Sequence, residues 1–479
     1  AREMATGLSA TAFEALKAKL WGFMQAEIYP NEHLFAAQSK AIGEASHDWH
    51  WPPILFELKR KAKAQGLWNL FLPVDSAAAA GIDQRVLSGG GLTNRQYAEI
   101  CEIMGTSCHA EFAAMACNCA SPDTGNMEVL ARYGTAEQKR RWLVPLLEGR
   151  IRSCFAMTEP GVASSDATNI GISIARDEAR GEYVINGSKW WCTGAGSLHC
   201  KIMILMGKTR RDGPLHKQQS QLLVPMDTPG LTLLRPMRAL GEDDAPKGHM
   251  EILFEGVRVP FENVLLGEGR GFEISQGRLG PGRIHHCMRS LGQAERALSL
   301  MCRRVGEREA FGKKLARFDT ILQDIARSRC ELETCRLLVY KAAELMDTCG
   351  NKDPRTRQLL SMVKAHIPVT VQGLVDRCIQ AHGAMGVSQD TPLFAAFAGV
   401  QFGSLRYFLR RESCWAARGG ANGARLRAHN FRLPGPADPT KGERAAGLRL
   451  GPHGRIRTLP GANHISKSRS ARSGRWLRP

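Results

Sequence analysis

Two short segments combine small, hydroxyl-bearing and aromatic residues in an order that could hold a flat polar ligand. The first begins at Cys154 and reads CFAMTEPGVASSD, an apolar strand-like run that turns at Pro160-Gly161 and closes on small hydroxyl residues. Backbone N–H groups and the Thr158 hydroxyl of such a turn can donate to a flat ring or a carbonyl. The same composition also suits a surface turn between two strands, so this segment alone leaves both interpretations open.

The second segment begins at Gly187 and reads GSKWWCTGAG, which adds two tryptophans and a threonine. On residue types alone, Trp190 and Trp191 could simply pack within a β-hairpin. Together, however, the two segments resemble the flavin-binding signature of the acyl-CoA dehydrogenases. The resemblance covers roughly residues 10–400 and is closest to the branch in which a phosphotransferase domain often precedes the dehydrogenase, although no such domain is recognisable in this sequence.

The resemblance implies that these two segments hold the isoalloxazine ring of FAD. Thr158 would lie near the N5 and O4 edge of the ring, and Thr193 would form a hydrogen bond near N5. Trp191 would cover one flank of the ring, whereas Trp190 would pack in the core. The remaining cofactor contacts of this region are expected to be Phe155, Met157 and Ser164, the last of which also lies at the mouth of the acyl-CoA channel.

Two later motifs resemble segments that reach the FAD of a neighbouring subunit in that family. The hexapeptide REAFGK supplies Arg308 and Phe311, and a planar guanidinium suits a diphosphate because its donors bind oxygens in pairs. The heptapeptide QAHGAMG supplies Gln380 and Gly383, which would wrap the diphosphate because glycine permits close backbone approach. Shared FAD sites imply a homodimer or a homotetramer.

The segment RLGPGRIHH, which starts at Arg278, corresponds to a helix start that lines the thioester and CoA in the family. Gly282 and Arg283 are therefore expected to contact the substrate, together with Ser164. A packing role, rather than a catalytic one, is expected for three histidines: His285, His286 and His382.

The implied reaction is the α,β-dehydrogenation of a fatty acyl-CoA to trans-2-enoyl-CoA, a step of fatty acid β-oxidation, with electrons passed to an electron-transferring flavoprotein. It requires a base that removes the α proton while the cofactor accepts a hydride from the β carbon. The family places a Glu or Asp for this role in its last helical segment, and the ungapped count falls on Tyr407. A phenol with a pKa of about 10 is a poor base at neutral pH.

A second position that carries the carboxylate in some family members counts to Gly282, so no catalytic residue is identified. Two interpretations stay open. The usual C-terminal segment could have been replaced by an unrelated tail, or the protein could be a relative that binds FAD and acyl-CoA without turnover because it lacks the carboxylate base.

Charge and cysteine content narrow the classes of partner and compartment. The net charge is +19, but residues 410–479 contribute 16 Lys or Arg against 3 Asp or Glu, so the rest of the chain is only weakly basic. We therefore expect no nucleic-acid partner, although a tail that tethers the protein to nucleic acid or to an anionic membrane is the competing hypothesis. Fourteen Cys without a Cys-x-x-Cys pair indicate reduced thiols rather than a metal site, which suits a reducing intracellular compartment such as the mitochondrial matrix, a peroxisome or the bacterial cytoplasm.

Periodicity predicts the elements that must position these residues. Helical spacing predicts an all-helical N-terminal domain over residues 1–148, with Thr93 or Asn94 as one N-cap, and short strands predict a β-barrel-like domain over 149–262. Asn186-Gly187 is a strong hairpin signal within it. Residues 263–405 are expected to form a four-helix bundle and residues 406–479 a disordered basic tail. The sequence contains no run of about 18 apolar residues, so no membrane span is expected. The fold class expected is α+β, multi-domain, with the acyl-CoA dehydrogenase fold.

Overall fold

The structure is a computed structural model that describes residues 7–45, 49–83, 91–107, 109 and 111–404. The N-terminal part of this range is helical. Its elements are α1 Ala10–Phe23, α2 Glu32–Ala45, α3 Pro53–Ala64, α4 Val74–Ala80, α5 Asn94–Gly105, α6 Phe112–Ala116, α7 Asp123–Tyr133, α8 Ala136–Gln138 and α9 Val144–Leu147. The predicted N-cap of α5 is Thr93, whose side chain accepts from the Gln96 N–H while the Gln96 side chain bonds back to the backbone N–H of Thr93.

The chain then turns to strands, as the alternation of side chains predicts. They are β1 Arg152–Ala156, β2 Ser173–Asp177, β3 Glu182–Thr193, β4 Cys200–Lys208, β5 Gln219–Pro225, β6 Leu231–Pro236 and β7 His249–Pro260. The strands form one sheet in the order β1-β4-β2-β3-β7-β6, with β5 also paired to β4. Strand β1 runs parallel to β4, and the sheet encloses its own apolar core.

The hairpin prediction at Asn186-Gly187 is wrong, because both residues lie inside the continuous strand β3. The pairing of β3 with β7 shifts register between Ile185 and Gly187, and Gly187 has a φ of 138°. A Cβ at Gly187 would lie 2.8 Å from the Ile172 side chain, and the Asn186 side chain accepts from the Gly256 N–H at 2.7 Å. The dipeptide therefore marks a β-bulge, which, like a tight hairpin turn, requires the conformational freedom of glycine.

Helices return after β7. They are α10 Gly271–Glu307, α11 Asp319–Cys349, α12 Pro354–His382 and α13 Leu393–Ser404, and a short hairpin of β8 Glu309–Ala310 and β9 Lys313–Lys314 separates the first two. Helix α10 continues through Pro281 and crosses α5 at a glycine contact, where a Cβ on Gly292 would lie 2.2 Å from the Glu102 carbonyl oxygen. This arrangement confirms the predicted order of helical, sheet and helical domains.

Two predictions about the end of the chain, the base position at Tyr407 and the disordered tail at 406–479, lie outside the described residues. Within the described ranges, no helix is both long and apolar enough to cross a bilayer. Every cysteine in these ranges has a free thiol.

Candidate active site

Thr158, the second residue after β1, is tied directly to β3. The Thr158 hydroxyl donates to the Trp190 carbonyl oxygen at 2.6 Å, and the Trp190 N–H donates to the Thr158 carbonyl oxygen at 3.0 Å. These two bonds place the first sequence segment beside the second. The structure thus brings together the segments that the sequence analysis expected to act as one site.

A buried ion pair holds the turn that follows. The Lys189 side chain is fully buried, and its Nζ lies 2.8 Å from both Glu159 Oε1 and the Met157 carbonyl oxygen. Glu159 also accepts from the backbone N–H groups of Gly171 and Ile172 at 2.7 and 3.0 Å. Burial lowers the pKa of Lys189 to about 8, against the opposing effect of the Glu159 carboxylate. Sequence reasoning missed this pair, although each partner lies within one of the two motifs.

The Ser164 side chain helps to close the same turn. Its Oγ accepts from the Glu159 N–H at 3.0 Å, and the residue is buried. Ser164 is therefore fixed next to the anchored carboxylate rather than free on the surface.

Aromatic and hydroxyl side chains border the junction of the two segments. Phe155, Met157, Trp191 and Thr193 are all half-buried, so each keeps part of its surface accessible. Trp191 has a φ of 53°, a costly value for a bulky residue, and such strain is concentrated at functional sites. Trp190, expected in the core, is likewise only half-buried.

Behind Thr193 lies a histidine that sequence reasoning missed. Thr193 Oγ1 lies 2.9 Å from Nδ1 of His249, its partner on β7, and Nε2 of the same ring lies 3.2 Å from Asp244 Oδ2. The His249 ring lies 5.7 Å from that of Trp191, centroid to centroid. The contact could be predicted only from the pairing of Thr193 with His249, which requires the register of β3 and β7 to be known.

A cavity of about 60 Å³ opens between the N-terminal domain and α10. Gly282 and Arg283, the predicted substrate contacts, both line it, and a Cβ built on Gly282 would meet open space. The basic groups along its wall are Arg278, Arg283, His285, His286, Arg289 and Lys364. Because none of the described residues that line this cavity is an Asp or Glu, its wall favours an anionic group or a carbonyl oxygen.

Both histidines of the cavity wall are held neutral. Burial, with a further effect of Arg289, lowers the pKa of His285 to about 3, and its ring packs edge-on to Tyr97 at 4.7 Å. Burial also lowers the pKa of His286, whose Nδ1 lies 3.1 Å from the Arg289 guanidinium. His382 is buried, and its Nδ1 contacts the Cys378 carbonyl oxygen at 2.8 Å.

The four residues that were expected to reach the FAD of a neighbouring subunit lie on the surface, away from the junction of the two segments. Phe311 sits at the tip of the β8–β9 hairpin with 95% of its surface exposed and a φ of 53°. Arg308 is exposed just before β8, and Gln380 and Gly383 are exposed at the end of α12. Gly383 has a φ of 65°, which a glycine tolerates. A single chain thus does not complete the expected set.

Three family models match consecutive parts of the chain. The acyl-CoA dehydrogenase N-terminal domain matches residues 14–150, the acyl-CoA dehydrogenase middle domain matches residues 154–257, and the acyl-CoA dehydrogenase C-terminal domain matches residues 269–405. Together these matches span the helical, sheet and helical parts of the fold.

Curated proteins give a concordant result. The mouse acyl-CoA dehydrogenase family member 10 is 54% identical over 392 residues, which are 82% of this chain and 35% of that protein. The probable acyl-CoA dehydrogenase IBR3 of Arabidopsis thaliana is 52% identical over 79% of this chain and 46% of its own length. The chain thus spans less than half of these two relatives. The probable acyl-CoA dehydrogenase FadE2 of Mycobacterium tuberculosis is 52% identical over 76% of this chain and 86% of that protein.

Solved structures agree on the fold. A protein from Mycobacterium abscessus, provisionally named an acyl-CoA dehydrogenase, superposes with a TM-score of 0.77 at 43% identity, covering 86% of this chain and 99% of that one. A glutaryl-CoA dehydrogenase from Mycobacterium smegmatis, solved in complex with FADH2, has a TM-score of 0.68 at 20% identity, covers 87% of this chain and 97% of that one, and shows the fold alone.

Proposed function

Because the chain belongs to the acyl-CoA dehydrogenase family, a family of oxidoreductases, we propose that it binds FAD and converts a fatty acyl-CoA to trans-2-enoyl-CoA. The observation that carries the proposal is the pair of hydrogen bonds between Thr158 and Trp190. These bonds join the two segments that resemble the flavin-binding signature. An electron-transferring flavoprotein is the proposed acceptor of the electrons.

The residues at this junction fit an isoalloxazine ring. Phe155, Met157 and Trp191 offer half-buried apolar surface, and Thr193, also half-buried, adds a hydroxyl. Apolar walls with a few placed polar groups are typical of cofactor sites. FAD, when bound, accepts a hydride from the substrate. In this proposal Thr158 and Ser164 order the turn that borders the ring, and the Lys189–Glu159 pair keeps that turn in place.

The cavity at α10 is the proposed place of the thioester. Gly282 leaves room there, and Arg283 supplies positive charge that polarises a carbonyl oxygen. Ser164 would contact the substrate from the sheet side. The neighbouring cations of the wall, Arg278, Arg289 and Lys364, add to this positive charge.

The exposed residues of the C-terminal domain are proposed to complete the cofactor site of a second subunit. Arg308 and Phe311 would reach its FAD, while Gln380 and Gly383 would follow the diphosphate. An aromatic side chain as exposed as Phe311 is the kind of group that anchors an interface. Assembly into a homodimer or homotetramer therefore forms part of the proposal.

The cavity also supports the second candidate, a relative that binds FAD and acyl-CoA without turnover. Among the described residues that line it, no carboxylate is present to remove the α proton. The two candidates differ in one spectrum. If anaerobic addition of a fatty acyl-CoA bleaches the oxidised flavin band, the chain is a dehydrogenase. If the band only shifts, the chain binds acyl-CoA without turnover.

A gain-of-function variant sharpens this test. In Gly282→Glu the new carboxylate would enter the open space at the cavity, at the position that carries the base in some family members. We expect it to raise the rate of flavin reduction if the chain lacks only the base. Gly306→Glu, also in open space on the same helix, is the matched control. Protein that folds but takes up no FAD would reject both candidates.

A further inference from the structure

A connected row of polar side chains runs from Thr193 through the buried His249 to Asp244 and Lys247. Thr193 Oγ1 meets His249 Nδ1 at 2.9 Å, and His249 Nε2 meets Asp244 Oδ2 at 3.2 Å. Lys247 Nζ follows at 3.3 Å from Asp244 and at 2.7 Å from Glu111. His249 is 3% exposed, so its ring bonds within the protein rather than to bulk water.

The backbone holds this row in position. Asp244 has a φ of 58°, and its carbonyl oxygen accepts from the N–H groups of both Lys247 and Gly248 at 3.0 Å. Thr193 and His249 face each other on paired strands, and the Gly194 N–H donates to the Gly248 carbonyl oxygen at 2.9 Å. The imidazole is therefore fixed between the carboxylate and the hydroxyl.

The charges decide which atoms carry protons. Burial alone would raise the pKa of Asp244, but the Lys247 ammonium and the hydrogen bond from His249 hold it below its usual range. An ionised carboxylate only accepts hydrogen bonds, so when the His249 ring carries a single proton, that proton lies on Nε2, which faces Asp244 at 3.2 Å. Nδ1 is then an acceptor, and the Thr193 hydroxyl must donate to it.

We propose that Asp244 and His249 orient the Thr193 hydroxyl so that it presents only lone pairs to N5 of the flavin, and that the pair thereby favours the reduced cofactor. The inference rests on the proposed function. Oxidised N5 is an acceptor, whereas reduced N5 carries a proton that it can donate. An oxygen that can only accept therefore bonds to the reduced form and leaves the oxidised form without a donor. His249 is a positioning residue because it acts through Thr193.

The first test measures the two-electron midpoint potential of the FAD-loaded protein. In His249→Phe the Thr193 hydroxyl is free to donate to oxidised N5, so we expect the preference for reduced over oxidised FAD to fall about tenfold, which is a decrease of about 30 mV. In Thr193→Val, a further His249→Phe change should alter nothing. His199→Phe, a half-buried histidine that packs against Trp51, should leave the potential unchanged. An equal effect of His249→Phe with and without the threonine would overturn the inference.

The second test needs no cofactor. Nitrogen-15 NMR of the imidazole in the FAD-free protein should show the proton of His249 on Nε2, and Asp244→Ala should shift it in part to Nδ1. A ring protonated on Nδ1, or on both nitrogens at neutral pH, would contradict the inference. Failure to bind FAD would count against the proposed function, while the NMR result would still decide the orientation of the hydroxyl.

Discussion

Two buried lysines, Lys59 and Lys189, differ in what surrounds the ammonium group. Lys189 lies 2.8 Å from the Glu159 carboxylate. Lys59 Nζ makes no hydrogen bond within the described part of the chain and instead lies 3.7 Å from the centre of the Trp51 ring. Burial, with a smaller effect of Arg152, lowers the pKa of Lys59 well below 10.5. The cation–π contact offsets only part of this desolvation.

Replacing the unpaired lysine should stabilise the protein. Lys59→Met keeps the stem and removes a buried polar group, so we expect the free energy of unfolding to rise by about 1 to 3 kcal/mol. Because the pKa is lowered in the folded state, the penalty is full below that pKa and fades as the pH approaches 10.5. Urea unfolding at pH 7 and pH 10 measures both effects. The exposed Lys63→Met is the control, and an advantage that grows with pH would contradict the argument.

Replacing the paired lysine should do the opposite. Lys189→Met leaves the Glu159 carboxylate buried without its cation, which costs about 3 to 5 kcal/mol. Because Glu159 also holds the N–H groups of Gly171 and Ile172, the turn between them should loosen and FAD affinity should fall. Thermal unfolding and FAD titration measure the two results, with the exposed Lys201→Met as control. Unchanged affinity in a folded variant would show that the pair is not needed for the site.

The sequence predicted the residues of the site better than their partners. Thr158, Trp191 and Thr193 could be identified because they lie in short contiguous motifs. The link from Lys189 to Glu159 and the link from His249 to Thr193 could not be identified, since each joins segments that are distant in sequence, and local patterns do not encode which segments meet.

At the scale of elements, glycines set how closely α5 and α10 approach. A Cβ on Gly105 would lie 2.4 Å from the Arg289 carbonyl oxygen, and one on Gly292 would lie 2.2 Å from that of Glu102. Both obstacles are backbone atoms, which cannot swing aside as a side chain could. The crossing therefore depends on the absence of side chains at these positions.

Two glycine substitutions on α10 should consequently change the free energy of unfolding in opposite directions. Gly292→Ala forces the helices apart and should lower the free energy of unfolding by about 1 to 3 kcal/mol or more. Gly306→Ala meets open space and should raise it by about 0.5 to 1 kcal/mol through helix propensity. Chemical denaturation of both variants tests the pair. Equal effects would mean that the crossing can relax.

Element type was easier to predict than element pairing. Alternation and helical spacing located the strands and the helices, whereas Asn186-Gly187 was misread because a bulge and a hairpin require the same residues. The parallel pairing of β1 with β4 had no local signal either. Such a pairing joins strands that are far apart in sequence.

For the molecule as a whole, the order of the three domains was predictable because each class of element occurs in one block. The family resemblance supplied the arrangement of those blocks, and the matches to three family models support it. The predictions for Tyr407 and for residues 406–479 stay predictions, because these residues lie outside the described part of the chain.

Assembly should depend on the exposed aromatic tip of the β8–β9 hairpin. Phe311→Ser should leave the thermal stability of the subunit nearly unchanged, since the ring makes little contact within the chain. It should weaken association by about 2 kcal/mol, or roughly 30-fold. Analytical ultracentrifugation over a dilution series measures this, with the exposed Leu215→Ser as control. Unaltered assembly would place the interface elsewhere.

Helix α10 has a practical consequence for work with fragments of this protein. Its Gly271 and Ser275 accept hydrogen bonds from Gln221 of β5, its Arg278 donates to Asn126 of α7, and its Gly292 sits against α5. This helix is 37 residues or about 55 Å long, and it packs against the sheet and against both helical parts. A fragment expressed without α10 would lose packing contacts of the sheet and of both helical parts at once. A split-protein reporter should therefore be cut after the end of this helix.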